Sequence, residues 1–189
     1  ANDHYTNTKK DQEKLVAECG VKYCTLRPTL MFGWFDKKHL GWLSRFMKKT
    51  PIFPIPGDGK FLRQPLYARD MARVTIAAME KQPDNKTYNI IGKEDIYYVD
   101  IIKRIKKVNK LHTAVLNLPY WFFKLLLNVY AIPFKNPPFT AAQLEALSAG
   151  DYFDSDPWWD IFEVPSTPFE EALRETFEHN EYSDIVLKP

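Results

Sequence analysis

Tyr5 and Lys9 stand four residues apart in the stretch "YTNTKKDQEKLV", a spacing that puts both on one face of a helix. A phenol gives up its proton only near pH ~10, and a lysine cation beside it favours the phenolate. The pair therefore has the parts of an acid/base dyad, and equally those of two surface neighbours. The same spacing recurs at Tyr120 and Lys124 between apolar flanks, so spacing alone leaves both readings open. Other reactive groups are sparse. The four histidines (His4, His39, His112, His179) are scattered without ligand-like spacing, and no metal site is expected. "GDGK" at 57–60 lacks the spacing of a phosphate loop and reads as a tight turn. Cys19 and Cys24 flank a turn with no further partner for a metal, and are expected to be reduced thiols in a cytoplasmic protein.

The elements that must position these residues follow from the apolar pattern. At 189 residues, 45% hydrophobic and 15% aromatic, the chain can bury a sizeable core. A formal charge of +2 is too small for a nucleic-acid surface, and no run mixes clustered arginines with stacking aromatics. No signal-peptide pattern stands at the N-terminal end. Residues 3–19 predict a helix closed by Gly20, and "VKYCTL" (21–26) a strand stopped by Pro28. Leu40, Leu43, Phe46 and Met47 mark a second helix, and Pro51, Pro54 and Pro56 with the Gly57/Gly59 turn mark a loop. "FLRQPLYA" reads as extended chain, and Asp70 as the N-cap of a helix with Met71, Val74, Thr75 and Ala78 inward. "KTYNII" (86–91) is strand-like, and Tyr98, Ile101, Ile102, Ile105 and Val108 keep helical spacing. The opposite face of that helix (Lys103, Arg104, Lys106, Lys107, Lys110) reads as solvated rather than as a site for an anionic partner.

Pro119 and Pro133 bracket "YWFFKLLLNVYAI", a nearly all-apolar helix too short to span a bilayer. Its narrow polar stripe (Lys124, Asn128) suits burial within the protein, where it could wall a pocket for an apolar or lipid-like substrate, better than a place in a membrane interface. Capping boxes are expected at "TAAQ" (140–143) and "TPFE" (167–170), the latter with Pro168 at the first helical position. Strands separated by helices predict an α/β chain with parallel pairing.

The order of parts is informative as well. A helix beginning Tyr5-x-x-x-Lys9 and carrying Glu13 is followed by "GVKYCTLRPTLMFG", then "GDGKFLRQPLYARDMARV", then "KTYNIIG". This series resembles the extended short-chain dehydrogenase/reductases of the NAD-dependent epimerase/dehydratase family, over about residues 3–178. The tail ("LP-W" at 118–121, "PPFTAAQLEAL", "STPFEEALRETF") resembles an atypical branch that includes relatives of an accessory subunit of respiratory complex I. The resemblance implies the C-terminal portion of a Rossmann-type parallel sheet plus a mostly helical substrate lobe. Residues 1–33 would be the last part of the Rossmann half and 34–189 the substrate-binding region, with 61–92 returning to the sheet. It also implies a larger parent enzyme, because such proteins carry a glycine-rich dinucleotide turn and an active-site Ser or Thr ahead of the Tyr helix.

The roles implied by resemblance are these. Tyr5 moves the proton of a substrate hydroxyl while hydride passes to or from NAD or NADP. Lys9 favours the phenolate and reaches the nicotinamide ribose. Pro28, Thr29 and Leu30 pass beside the nicotinamide carboxamide. Trp34 stands at the pocket mouth, and Arg63 grips a substrate diphosphate, for which its planar fork is suited. Tyr120 and Lys124 receive no role. The implied function is an NAD(P)-dependent epimerase/dehydratase or oxidoreductase acting on a hydroxyl or keto substrate such as a nucleotide sugar, with room for a homodimer. Two alternatives stay open: a non-catalytic NADP(H)-binding accessory subunit, and a membrane-surface module.

Overall fold

The computed structural model describes residues 4–81, 85–131, 144, 145, 148, 152–154, 156–183 and 185. In chain order the elements are α1 (His4–Glu18), β1 (Cys24–Pro28), β2 (Met31–Phe32), α2 (Leu40–Lys49), β3 (Ile52–Pro56), β4 (Leu62–Arg63), β5 (Leu66–Tyr67) and α3 (Ala68–Glu80). Then come β6 (Lys86–Ile90), β7 (Ile96–Tyr97), α4 (Tyr98–Val108), β8 (Ala114–Leu118), α5 (Tyr120–Ala131), α6 (Trp158–Ile161) and α7 (Phe169–Glu178). Gly20 follows α1 at φ +73°, the left-handed conformation that closes a helix at low steric cost.

Among the described residues three strand pairs are parallel, β1 with β6, β2 with β5 and β3 with β8, and β4 pairs antiparallel with β7. This is the α/β architecture expected. Two proline assignments need correction. Pro28 does not stop β1 short; it is its last residue, opposite Ile90. The ladder continues through the Thr29 N–H to the Ile90 carbonyl at 3.2 Å, so the absent proline N–H falls on the side away from β6. Pro54 and Pro56 likewise lie within β3 rather than in a loop, opposite Leu116 and Leu118. Alternate residues of a parallel strand bond to a given neighbour, and the prolines occupy the positions that donate nothing to it.

The core has two parts. One gathers Phe32, Leu40, Met47, Ile55, Ile101, Ile102 and Ile105 with Phe169 and Leu173 of α7. The other packs Leu66, Val74, Tyr88 and Ile90 against Trp158 and Phe162, joining α3 and the β1–β6 pair to α6. The inward stripe of α3 is Val74 and Ala78 with Met71 packed beside them; Thr75 stays at the surface with its hydroxyl bonded to the Met71 carbonyl.

Side-chain caps depart from expectation. Asp70 is not an N-cap: α3 begins at Ala68, and the buried Asp70 carboxylate accepts the Thr167 N–H (2.8 Å) and hydroxyl (2.7 Å). Thr167 is thereby drawn away from the capping box expected at 167–170. The first N–H of α7, from Phe169, is instead met by Glu94 Oε1 at 2.6 Å. The box expected at 140–143 lies outside the described residues. Finally, α5 is not enclosed. Trp121 is 69% exposed, and Phe122, Leu125, Leu126 and Val129 are also exposed, while Phe123 is buried. No helix among the described residues is long and apolar enough to cross a membrane.

Candidate nucleotide groove

α1 and the C-terminal end of the β1–β6 pair enclose an open groove of about 680 Å³. One wall is the helix stripe Thr6, Lys9, Lys10, Glu13, whose spacing of three and four residues follows from the helical repeat. The floor is Arg27, Pro28, Thr29 and Leu30, where β1 ends, with Asn89 and Ile91 at the end of β6. Phe153 completes it from a distant part of the chain. Clefts at the carboxyl ends of parallel strands are where open α/β sheets bind ligands.

α1 is tied to this floor by charge. Arg27 Nε donates to Glu13 Oε1 at 3.0 Å and to Oε2 at 3.2 Å, and Nη2 donates to Oε2 as well. These hydrogen bonds hold the Glu13 carboxyl below its ordinary range and raise the Arg27 guanidinium above its own, burial opposing both. The Thr29 hydroxyl is committed to the Gln64 carbonyl at 2.8 Å, which fixes the backbone of the floor. Lys9 Nζ reaches Gln12 Oε1 at 3.1 Å.

The structure thus brings Lys9, Pro28, Thr29 and Leu30 into one groove. Tyr5 lies in α1, one turn ahead of Lys9. Arg63 and Trp34 are not among the lining residues. Arg63 is buried in β4, its Nη1 on the Leu62 carbonyl (3.1 Å), and its charge opposes the burial that raises the Tyr98 phenol above its ordinary value. Trp34 donates Nε1 to the Glu175 carbonyl (2.8 Å) and packs its ring on His179 and Tyr182. Tyr120 and Lys124 lie on α5, where Lys124 pairs with Glu145 at 2.7 Å. No group of acidic, histidine or cysteine side chains suited to a metal exists among the described residues. Of the lining residues, Thr6, Lys10, Asn89, Ile91 and Phe153 were not expected from sequence; nothing local in "YNIIG" or "DYFDSD" marks the last three.

Parallel strands thus carry a groove with Lys9 and Lys10 on its helix wall and Pro28, Leu30 and Ile91 on its floor, within an α/β protein. Residues 5–90 match the model of the NAD dependent epimerase/dehydratase family. Solved structures with the same fold include a UDP-glucose 4-epimerase from Thermotoga maritima, solved with UDP-glucose (20% identity, TM-score 0.64, covering 92% of this chain and 50% of that one). Others are a dTDP-glucose 4,6-dehydratase from Bacillus anthracis in complex with NAD (16%, 0.64, 95% and 53%) and a UDP-glucuronic acid 4-epimerase from Bacillus cereus in complex with NAD (20%, 0.58, 92% and 51%). The chain spans about half the length of these structures. No curated protein matches it. These likenesses carry the epimerase/dehydratase resemblance but not the complex I branch.

Proposed function

We propose that the full-length protein is an NAD(P)-dependent epimerase, dehydratase or related oxidoreductase whose substrate is a small hydroxyl or keto compound such as a nucleotide sugar. The observation that carries this is the convergence of Lys9 with Pro28, Thr29 and Leu30 in one groove, within the stretch that matches the family. The donor set fits the nicotinamide–ribose end of a dinucleotide. Lys9 and Lys10 supply cations for hydroxyl and phosphate oxygens, and Pro28, Leu30 and Ile91 supply apolar surface for a flat ring. When bound, the nicotinamide supplies the hydride donor or acceptor.

The chain's own residues do the rest. Tyr5 takes the proton from the substrate hydroxyl as the carbonyl forms and returns it in the reverse step. Lys9, one turn on, favours the phenolate by its positive charge and steadies the ribose. Thr29, locked onto Gln64, holds the floor at fixed height.

Replacing Tyr5 by Phe removes the proton carrier and keeps the ring. In the full-length protein it is expected to lower kcat by ~10²–10⁴ while leaving NAD(H) or NADP(H) affinity nearly unchanged. Turnover of an accepted nucleotide sugar that is indifferent to this change would favour the accessory-subunit alternative.

A further inference from the structure

Phe153 reaches the groove through dedicated anchors that do not involve its ring. Gln64 Oε1 accepts the Phe153 N–H at 2.9 Å, and Gln64 Nε2 donates to the Phe153 carbonyl at 3.4 Å and to Asp95 Oδ1 at 2.9 Å. Gln64 is itself buried, and its backbone carbonyl receives the Thr29 hydroxyl. The following residues are tied to the other side of the floor. The Asp154 carbonyl accepts Asn89 Nδ2 (3.3 Å), Asp156 Oδ2 accepts the Asn89 N–H (2.7 Å), and Trp158, fully buried, donates Nε1 to the Ile91 carbonyl (2.8 Å). Every anchor thus lands on a groove residue or on the residue that locks Thr29. The Phe153 ring nevertheless remains 49% exposed. A large apolar ring left half in water loses the burial that would ordinarily stabilise it, and here the backbone holds it at the rim of a groove lined by Lys9, Pro28 and Leu30.

We propose that Phe153 is the stacking wall of this groove, covering the flat heteroaromatic ring of a bound nucleotide, with Gln64 as the positioning residue that sets it in place. This rests on the dinucleotide reading above and adds to it the residue that meets the ring. Aromatic side chains bind planar rings by offset or edge contact that tolerates many ring chemistries. Two sources can provide such a ring: the nicotinamide of the dinucleotide, or the base of a nucleotide-sugar substrate.

The test uses the full-length protein and four probes: NADH and NADPH, followed by fluorescence, and UDP and dTDP, followed by calorimetry. Phe153→Ala is expected to raise the Kd of one probe class by about tenfold to a hundredfold, and Phe153→Trp to retain affinity. The class affected identifies the source of the ring. Gln64→Leu should weaken the same probes in the wild-type background and add little on top of Phe153→Ala, because it acts through that ring. Thermal melts verify that each variant is folded; the half-exposed position of Phe153 makes its replacement tolerable. A protein that binds the probes and loses nothing on Phe153→Ala overturns this inference and leaves the proposed function standing. A protein that binds none of the four overturns both. Equal losses from Gln64→Leu in the two backgrounds overturn the positioning role.

Discussion

Glu13 and Arg27 decide how firmly α1 sits over the groove, since the apolar residues of that helix, Leu15 and Val16, are exposed. The Arg27 hydrogen bonds keep the Glu13 carboxyl below its ordinary value. A carboxyl with a lowered folded-state pKa stabilises fully above its unfolded value, near ~4.3 for glutamate, and that contribution is lost as pH falls through the lower native value. Amide-exchange protection of α1 is therefore expected to decline as pH drops below about 4. In Glu13→Gln it should be low already at neutral pH, with no acid-dependent step. Arg27 is exposed and Glu13 half-buried, so the global cost should stay near or under about 1 kcal/mol. Equal protection in the variant and the wild type would show that the ion pair does not hold the helix. The groove was partly legible at this scale because Lys9, Pro28, Thr29 and Leu30 belong to continuous motifs near one another in the chain. Phe153 was not, because it is held at the groove by hydrogen bonds to Gln64 across 89 residues of sequence.

Apolar periodicity located α2, α3 and α4 well, because each buries one stripe against the two cores. The failures have a common origin in bonds made to distant parts of the chain. Pro54 and Pro56 look like loop residues until β8 pairs with them on a side where no N–H is needed. Asp70 and Thr167 look like two local caps, yet they bond to each other across 97 residues. Removing that carboxylate strips the Thr167 N–H and hydroxyl of their acceptor between α3 and the start of α7. Asp70→Ala is expected to cost about 2–3 kcal/mol in urea denaturation, and a loss below about 0.5 kcal/mol would place the junction elsewhere. The opposite is expected of α5, whose apolar composition argued for burial. Trp121→Glu and Leu125→Glu replace exposed side chains, so each should change stability by no more than about 0.5 kcal/mol while reducing the binding of a hydrophobic dye. A drop of several kcal/mol would mean that the helix face is covered.

At the scale of the whole molecule, the proposed reading has the groove meet only one end of a dinucleotide. Its walls offer cations and an apolar floor suited to a ribose and a flat ring, while a diphosphate is held elsewhere in such folds, by a glycine-rich turn that lets backbone N–H groups at a helix N-terminus approach the oxygens. The sequence has seven glycines and no such turn among them. Gly57 and Gly59 stand at positive φ before β4, in a turn where Asp58 Oδ1 accepts the Lys60 N–H and no helix follows. Micromolar affinity requires about −8 kcal/mol, and the helix-terminus and charge contributions that anchor the diphosphate are a large share of it. The 189-residue chain by itself is therefore expected to bind NAD(H) and NADP(H) no more tightly than the millimolar range, about −4 kcal/mol. The chain covers about half of each solved relative, so under the proposed reading a longer form of the protein is the informative comparison. Calorimetry on both should show the affinity gained with the longer chain, at unchanged dependence on Lys9. Micromolar binding by the 189 residues alone would mean that the diphosphate is held by this chain, with Lys10 and Arg27 the first residues to replace in locating it.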